Sequence, residues 1–477
     1  MEDIGEKCAI FGVYGRGLEV ARIAFFGLYA LQHRGQESSG IATSDGEKFS
    51  RHVGMGLVAH VYTEESIAAL PGYIAIGHNR YSTAGGSKLE HAQPIVVDGG
   101  HLGEIALVHN GNLPSSTALE KFLASKGMNP TGASDSRLMT EAIGVLAREG
   151  KTLEAAITEA YPYMTGAFSL LVMSRDSLVA IRDQCGIRPL SIGKLNGGFV
   201  FSSETCAFHP VGATHLRDVN PGEMVIANKD GLKSVQIVPG DQKLDIFEFI
   251  YFSRPDSELL GRSVYAVRKN FGRELAEEST VDVDVVIPVP ETSVPAAIGY
   301  SQARGVAFEM GLTKNRYIHR TFIQPEQHIR DQGVKAKLTP QREVIAGKRV
   351  AVVDDSIVRG TTSRQIVAML FEAGAKEVHF LVSSPPVIFP DFYGIDTPKQ
   401  KDLIAAGMSI AEMRDYLGAT SLTFLSYRGM IAATELPESI FSTSFFTGEY
   451  PIDIRERKTE IVQKRVCYTP FTEEYKA

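Results

Sequence analysis

The stretch RVAVVDDSIVRGTTS at Arg349–Ser363 admits few folds. Val350–Val353 is a short apolar run rich in β-branched residues, which reads as a buried strand. Two carboxylates follow, Asp354 and Asp355, and then a loop of Ser356, Arg359, Gly360, Thr361, Thr362 and Ser363. A helix is expected next, capped by Thr362 or Ser363, with Ile366, Met369, Leu370 and Ala373 on one face and Gly374 ending it. Backbone N–H groups at a helix start, beside small hydroxyl side chains, suit a dianionic phosphate. The two acids would repel a phosphate, so they call for a diol that donates hydrogen bonds or a hydrated metal ion. A ribose phosphate meets both demands. An ordinary strand–helix junction with a solvated acidic turn is the plain alternative.

The chain has 477 residues, too many for one typical core, so two large domains are expected. Its formal charge of −7 gives no overall electrostatic case for nucleic acid. No apolar run is long enough to span a membrane, and MEDIGEKCAIFG lacks the basic and apolar regions of a secretory leader. Cys8, Cys185, Cys206 and Cys467 are scattered without a CxxC pair, which fits a reducing cytoplasm and no cysteine-only metal motif.

Cys8 precedes the strand-like Ala9–Tyr14. Alone, such a cysteine reads as a buried structural thiol. Asn110-Gly111 alone reads as a hairpin turn, Arg80 as a surface charge, and Asp135 as a helix-start acid with Ser134 as its cap. Together they read differently, because a thiol nucleophile needs an oxyanion hole and grips for a charged substrate. The Asn110 amide and the Gly111 N–H can form the hole, Arg80 can hold a carboxylate, and Asp135 can receive an ammonium. Two early helices among many short strands predict a layered α+β domain, sheets face to face and helices outside.

Beyond residue 235 the pattern changes to strand–helix alternation, with Val283–Val289, Val350–Val353 and Val378–Val382 as strands of a mainly parallel sheet. Phe247–Phe252 is dense in aromatics and reads as interdomain core or the lining of a passage. Thr292 and Asp354 fall at strand carboxyl ends, where ligands of such sheets bind. Arg316, Arg320, Arg330, Lys335 and Lys337 lie in an aperiodic loop that suits a lid over a polyanion.

CAIFG, LQHRGQESSGIA, GHNRYSTAG, HNGNL and SDSR in the first half resemble the N-terminal-nucleophile (Ntn) glutaminase domain of class II glutamine amidotransferases. VAVVDDSIVRGTTS resembles the phosphoribosyl pyrophosphate motif of type I phosphoribosyltransferases. VIPVPETS, NRYIHRTFIQP, SSPPVIFPDFYGID and FTGEYP are similar to the amidophosphoribosyltransferase family in particular, and the resemblance covers nearly the whole chain in order. It implies an Ntn-hydrolase sandwich over residues 8–235, then an α/β phosphoribosyltransferase domain with a C-terminal extension over 236–477. The implied reaction takes ammonia from glutamine to C1 of phosphoribosyl pyrophosphate (PRPP), giving phosphoribosylamine, pyrophosphate and glutamate, the committed step of purine synthesis.

By the same resemblance Cys8 is the nucleophile, Asn110 and Gly111 hold the oxyanion, and Arg80 and Asp135 bind glutamine. Asp354 and Asp355 hold the ribose hydroxyls and, with Thr292, one magnesium ion per subunit, while Gly360, Thr361, Thr362 and Ser363 cradle the 5′-phosphate. It further implies feedback by purine nucleotides, a homodimer or homotetramer, and a cytoplasmic enzyme without nucleic-acid or membrane partners. Two departures stand out. Ala9 replaces the usual glycine, and the places of a four-cysteine iron–sulfur cluster found in some members hold Asp245, Asp391, Ser442 and Phe445, so no cluster is expected.

In the family the α-amine of the cysteine is the base, and residues 1–7 acylate that of Cys8. An amide nitrogen is no base at neutral pH, so Met1–Lys7 is expected to be a propeptide. N-terminal sequencing of purified active protein should start at Cys8; active protein that still begins at Met1 contradicts this.

Overall fold

The computed structural model describes residues 8–81, 89–315, 337–395, 397 and 399–461. Met1–Lys7, Cys467 and the basic residues Arg316, Arg320, Arg330 and Lys335 therefore lie outside the described residues.

The first half is two antiparallel sheets packed face to face. One has seven strands in the order Thr214–Asp218, Ser191–Leu195, Gly198–Ser202, Ala9–Tyr14, Ile74–Arg80, Ser38–Ser44, Phe49–Met55. The other has six, in the order Gly231–Gln236, Glu223–Asn228, Leu178–Arg182, Ala167–Met173, Glu104–Asn112, Ile95–Asp98. Alternation along a strand explains why Ala9–Tyr14 is apolar throughout. Ile10 and Tyr14 point between the sheets to meet Val108, Leu171 and Phe201, while Ala9, Phe11 and Val13 face the helix Val20–Ala30. On the far side Leu138, Ile143 and Leu146 of the helix Asp135–Arg148 cover Leu107, Leu170 and Val172. Ser134 caps that helix as expected, its side chain accepting from the Arg137 N–H.

The second half is built on four parallel strands in the order Val285–Pro288, Arg349–Asp354, Glu377–Val382, Ser421–Phe424. Both faces are covered, so these strands also read as unbroken apolar runs. Ala351, Val353 and Leu381 pack under the helices Val264–Glu278 and Val294–Arg304; Val350, Val352 and Phe380 pack against Thr361–Glu372 and Ile410–Leu417. The aromatic segment is core: Phe247 lies 4.2 Å from Phe445 and 5.8 Å from Phe446, ring centre to ring centre.

Asn110-Gly111 is not a hairpin turn. Both residues lie within the strand Glu104–Asn112, opposite Ser169 and Phe168. Gly111 has φ +148°, and a Cβ there would collide with the Ala167 carbonyl, so the dipeptide serves close strand packing instead of chain reversal. The helix after the acid pair starts earlier than expected, at Thr361, with Gly360 at its cap in the left-handed region (φ +77°). Thr362 and Ser363 are thus buried in its first turn, not capping it.

The helices Val264–Glu278 and Val294–Arg304 fix where the Thr292 turn sits, and they cross through two glycines. A Cβ on Gly272 would overlap the Ala296 carbonyl oxygen, and one on Gly299 the Lys269 carbonyl oxygen. Gly272→Ala and Gly299→Ala should each cost about 1–3 kcal/mol, seen as a lower urea midpoint at unchanged m-value.

Candidate active site

Cys8 sits at the mouth of the two-sheet sandwich, just before Ala9–Tyr14, its Sγ 3.7 Å from the Tyr81 carbonyl oxygen. Burial pushes the thiol above its ordinary value, against the pull of the Arg80 guanidinium; the charges of Asp135 and Glu37 also reach it. Arg80 ends the strand Ile74–Arg80 and Asp135 opens the helix Asp135–Arg148, and the charges of both act on the thiol. Arg80 Nη1 donates to the His91 carbonyl at 2.6 Å. Asp135 Oδ1 accepts from the Ser136 N–H at 2.6 Å, and its Oδ2 lies 3.6 Å from His109 Nδ1. Burial lowers the pKa of His109, against the pull of Asp135, and takes that of His78 down to about 3, which disfavours a competing cation on either ring. Asn110 is tied to the strand after Cys8 through Ser203, whose Oγ accepts from Asn110 Nδ2 at 3.4 Å and from the Ile10 N–H at 3.0 Å.

A residue without a sequence-assigned role holds Cys8 from behind. Arg34 Nε donates to the Cys8 carbonyl at 3.4 Å, and its Nη atoms reach Glu204 at 2.5 Å and Glu248 at 2.8 Å. Glu248 also meets Arg188 at 3.3 Å, and Arg188 reaches Asp245 at 3.2 Å and Asp391 at 3.8 Å. This chain of buried charges runs from the backbone of Cys8 into the second half. Arg34 stands in the quoted LQHRGQESSGIA run; its partners, 170 and 214 residues away, are invisible to local pattern.

The second site lies at the carboxyl ends of the two neighbouring parallel strands Val285–Pro288 and Arg349–Asp354. Thr292 Oγ1 donates a short hydrogen bond to Asp355 Oδ2, and Ser293 Oγ lies 3.4 Å from Asp354 Oδ1. Ser356 Oγ donates to Asp355 Oδ1 at 2.8 Å, and the Asp355 N–H to Asp354 Oδ1 at 2.9 Å. Both carboxyls are raised above the ordinary range, first by burial, and Asp354 also by the charge of Asp355. Their hydrogen-bond partners among the described residues are hydroxyls and an N–H, none of them a cation. Such a pair fits a cation or a hydroxyl-rich ligand. No group of three or more His, Cys, Asp or Glu among the described residues can hold a metal unaided. Next to the acids, Gly360 opens the helix Thr361–Glu372, presenting its first N–H groups with Thr361, Thr362 and Ser363.

A family model described as a glutamine amidotransferase domain matches residues 78–210. The amidophosphoribosyltransferase of Synechococcus elongatus is 48% identical over 456 residues, covering 94% of this chain and 92% of its own length. That of Bacillus subtilis is 45% identical over 460 residues, covering 95% and 96%. Among solved structures, one described as the allosteric regulatory enzyme of purine biosynthesis superposes with a TM-score of 0.88 at 45% identity, covering 94% of this chain and 97% of its own. Another, the glutamine PRPP amidotransferase of B. subtilis in complex with ADP and GMP, gives a TM-score of 0.87 at 45% identity, with coverages of 94% and 98%.

The buried charge chain generates a pH prediction. Burial pushes the Asp391 carboxyl up to about 7, with Arg188 opposing and Asp245 adding to the rise. This lies above the unfolded value of about 3.9, so its contribution favours the fold at low pH and is lost as pH rises from about 4 through 7. Asp391→Asn should therefore gain Tm relative to wild type between pH 5 and pH 8; a constant offset contradicts this.

Proposed function

This chain belongs to the amidophosphoribosyltransferase family, and we propose that it makes phosphoribosylamine from glutamine and PRPP through the two sites described above. The observation that carries the reading is one chain holding both a thiol flanked by Arg80 and Asp135 and an acid pair beside a glycine-opened helix. Neither site alone requires the other, whereas an ammonia donor and an ammonia acceptor do.

In the first site Cys8 Sγ attacks the glutamine side-chain carbonyl while Arg80 holds its α-carboxylate and Asp135 its α-ammonium. Asn110 Nδ2 and the Gly111 N–H receive the negative charge that develops on the carbonyl oxygen. Ammonia leaves, and water releases glutamate from the thioester. Once Met1–Lys7 are removed, the α-amine of Cys8 takes the thiol proton, which offsets the rise that burial imposes on it. We place the division between the two catalytic domains near residue 235.

In the second site Asp354 and Asp355 accept from the ribose 2- and 3-hydroxyls, and the first turn of Thr361–Glu372 cradles the 5′-phosphate. Thr292, Asp354 and Asp355 would hold one magnesium ion, which neutralises the departing pyrophosphate when bound. Positive charge develops on the sugar as the C1–O bond breaks, and two nearby carboxylates favour it. Water is the competing nucleophile, so the second site has to exclude it while ammonia arrives.

The four places of the iron–sulfur cluster carry no thiolate. Asp245 pairs with Ser442 in a short parallel bridge, and the Arg188 guanidinium stands between Asp245 and Asp391. That donor set does not fit a cysteine-ligated iron–sulfur cluster. The B. subtilis relative binds ADP and GMP, which supports purine-nucleotide feedback here. No helix among the described residues is long and apolar enough to cross a membrane; a cytoplasmic homodimer or homotetramer is proposed from the family resemblance alone.

Cys8→Ser should lose glutamine-dependent synthesis by about a thousandfold and keep ammonia-dependent synthesis within about twofold. Assays with the two nitrogen sources decide this; full glutamine-dependent activity in the variant contradicts the reading.

A further inference from the structure

The segment 383–395 joins the two sites physically. It begins on the acid pair, where the Ser383 N–H donates to the Asp354 carbonyl at 2.9 Å and Ser383 Oγ to the same oxygen at 3.2 Å. Midway, the Ile388 and Phe389 N–H groups donate to the Phe445 carbonyl at 2.9 and 3.0 Å. It then closes a tight turn around Asp391, whose Oδ2 accepts from the Tyr393 N–H at 2.8 Å and the Ile395 N–H at 2.7 Å. Arg188, from the first half, clamps that turn by donating to the Tyr393 carbonyl at 3.2 and 3.1 Å.

The turn ends on the oxyanion strand. Asn112 Nδ2 donates to the Phe392 carbonyl at 2.9 Å. Gly394 lies against Gly111 itself: a Cβ there would stand 2.8 Å from Gly111 C, 2.9 Å from its O and 3.1 Å from its Cα. Gly394 also has φ +108°, a conformation that side chains resist. On its other side Gly111 is pressed against the Ala167 carbonyl. Gly111, whose N–H is offered to the oxyanion, is therefore held at its Cα and carbonyl between its own sheet and a turn supplied by the phosphoribosyl half.

We propose that residues 383–395 form a strap that holds Gly111 in register for the oxyanion, with Gly394 as its positioning residue. The inference rests on the oxyanion role proposed for Asn110 and Gly111. The glutaminase centre is then complete only when the second half is docked, and the strap connects the backbone of Asp354 to that of Gly111. A displaced oxyanion donor weakens the transition state more than the ground state, because Arg80 and Asp135 still hold the substrate's ends.

The test compares full-length wild type, Gly394→Ala and Asn112→Ala with glutamine and with ammonia as nitrogen source. Expected is a fall of about tenfold or more in kcat for glutamine, with its KM within about twofold. Ammonia-dependent synthesis should stay within about twofold of wild type. Asn112→Ala removes a donor without adding bulk, so it keeps the test decisive if Gly394→Ala fails to fold. Unchanged kcat in Asn112→Ala and in soluble Gly394→Ala overturns the strap, as does a parallel loss with both nitrogen sources, which marks ordinary structural packing. If wild type itself makes no phosphoribosylamine from either source, the proposed function fails instead.

Discussion

Glu248 is the hinge on which the architecture depends. Its carboxylate receives Arg34 from the Cys8 side at 2.8 and 3.0 Å, Arg188 at 3.3 Å, and Ser253 Oγ at 2.8 Å. None of these groups can be withdrawn alone, because an orphaned buried charge costs about 3–5 kcal/mol. The network holds two arginines and four carboxylates, Glu204, Glu248, Asp245 and Asp391, so negative charge is in excess. The excess is resolved unevenly. Burial alone would raise Glu204, yet His33 and Arg34 pull it well below the usual range. Asp245 and Asp391 share the single Arg188 and rise.

The same junction carries backbone contacts as well as charge. The turn Glu248–Phe252 is gripped from the second half by Arg268, which donates to the Phe249 and Ser253 carbonyls at 2.7 Å each. Asp355 attracts that guanidinium while burial depresses it to about 10. From Cys8 a succession of hydrogen bonds and charges runs through Arg34 and Glu248 to Arg268, which feels the charge of Asp355, and the strap at 383–395 gives a second route. Buried polar networks of this kind fix relative position because almost any shift leaves a group unsatisfied.

Much of the candidate site was legible in the residue order. The acid pair, the Gly360 loop and the helix after it are contiguous, and their strand and helix were placed nearly residue for residue. Local reasoning failed where a residue's meaning came from its neighbours in space. Asn110-Gly111 has the composition of a hairpin turn, yet Ala167–Met173 pairs along it and keeps it extended. The start of the helix after the acids was misplaced by a residue or two because Gly360, in the left-handed region, could take the cap position that a hydroxyl usually takes. Arg34, Arg188 and Gly394 carried no assigned role because their partners lie far along the chain.

By itself, then, the sequence determined the classes of layer and the contiguous run of strand, two acids, glycine and helix start, since periodicity and short motifs act over a few residues. Tertiary structure alone decided how those groups meet. Glu248 takes its two arginines from segments 214 and 60 residues earlier, and Gly394 finds Gly111 only after both halves have folded and docked. The physical reason is that desolvated charge pairs and close backbone contacts depend on distance in space, and chain order does not specify that distance beyond the reach of a single element.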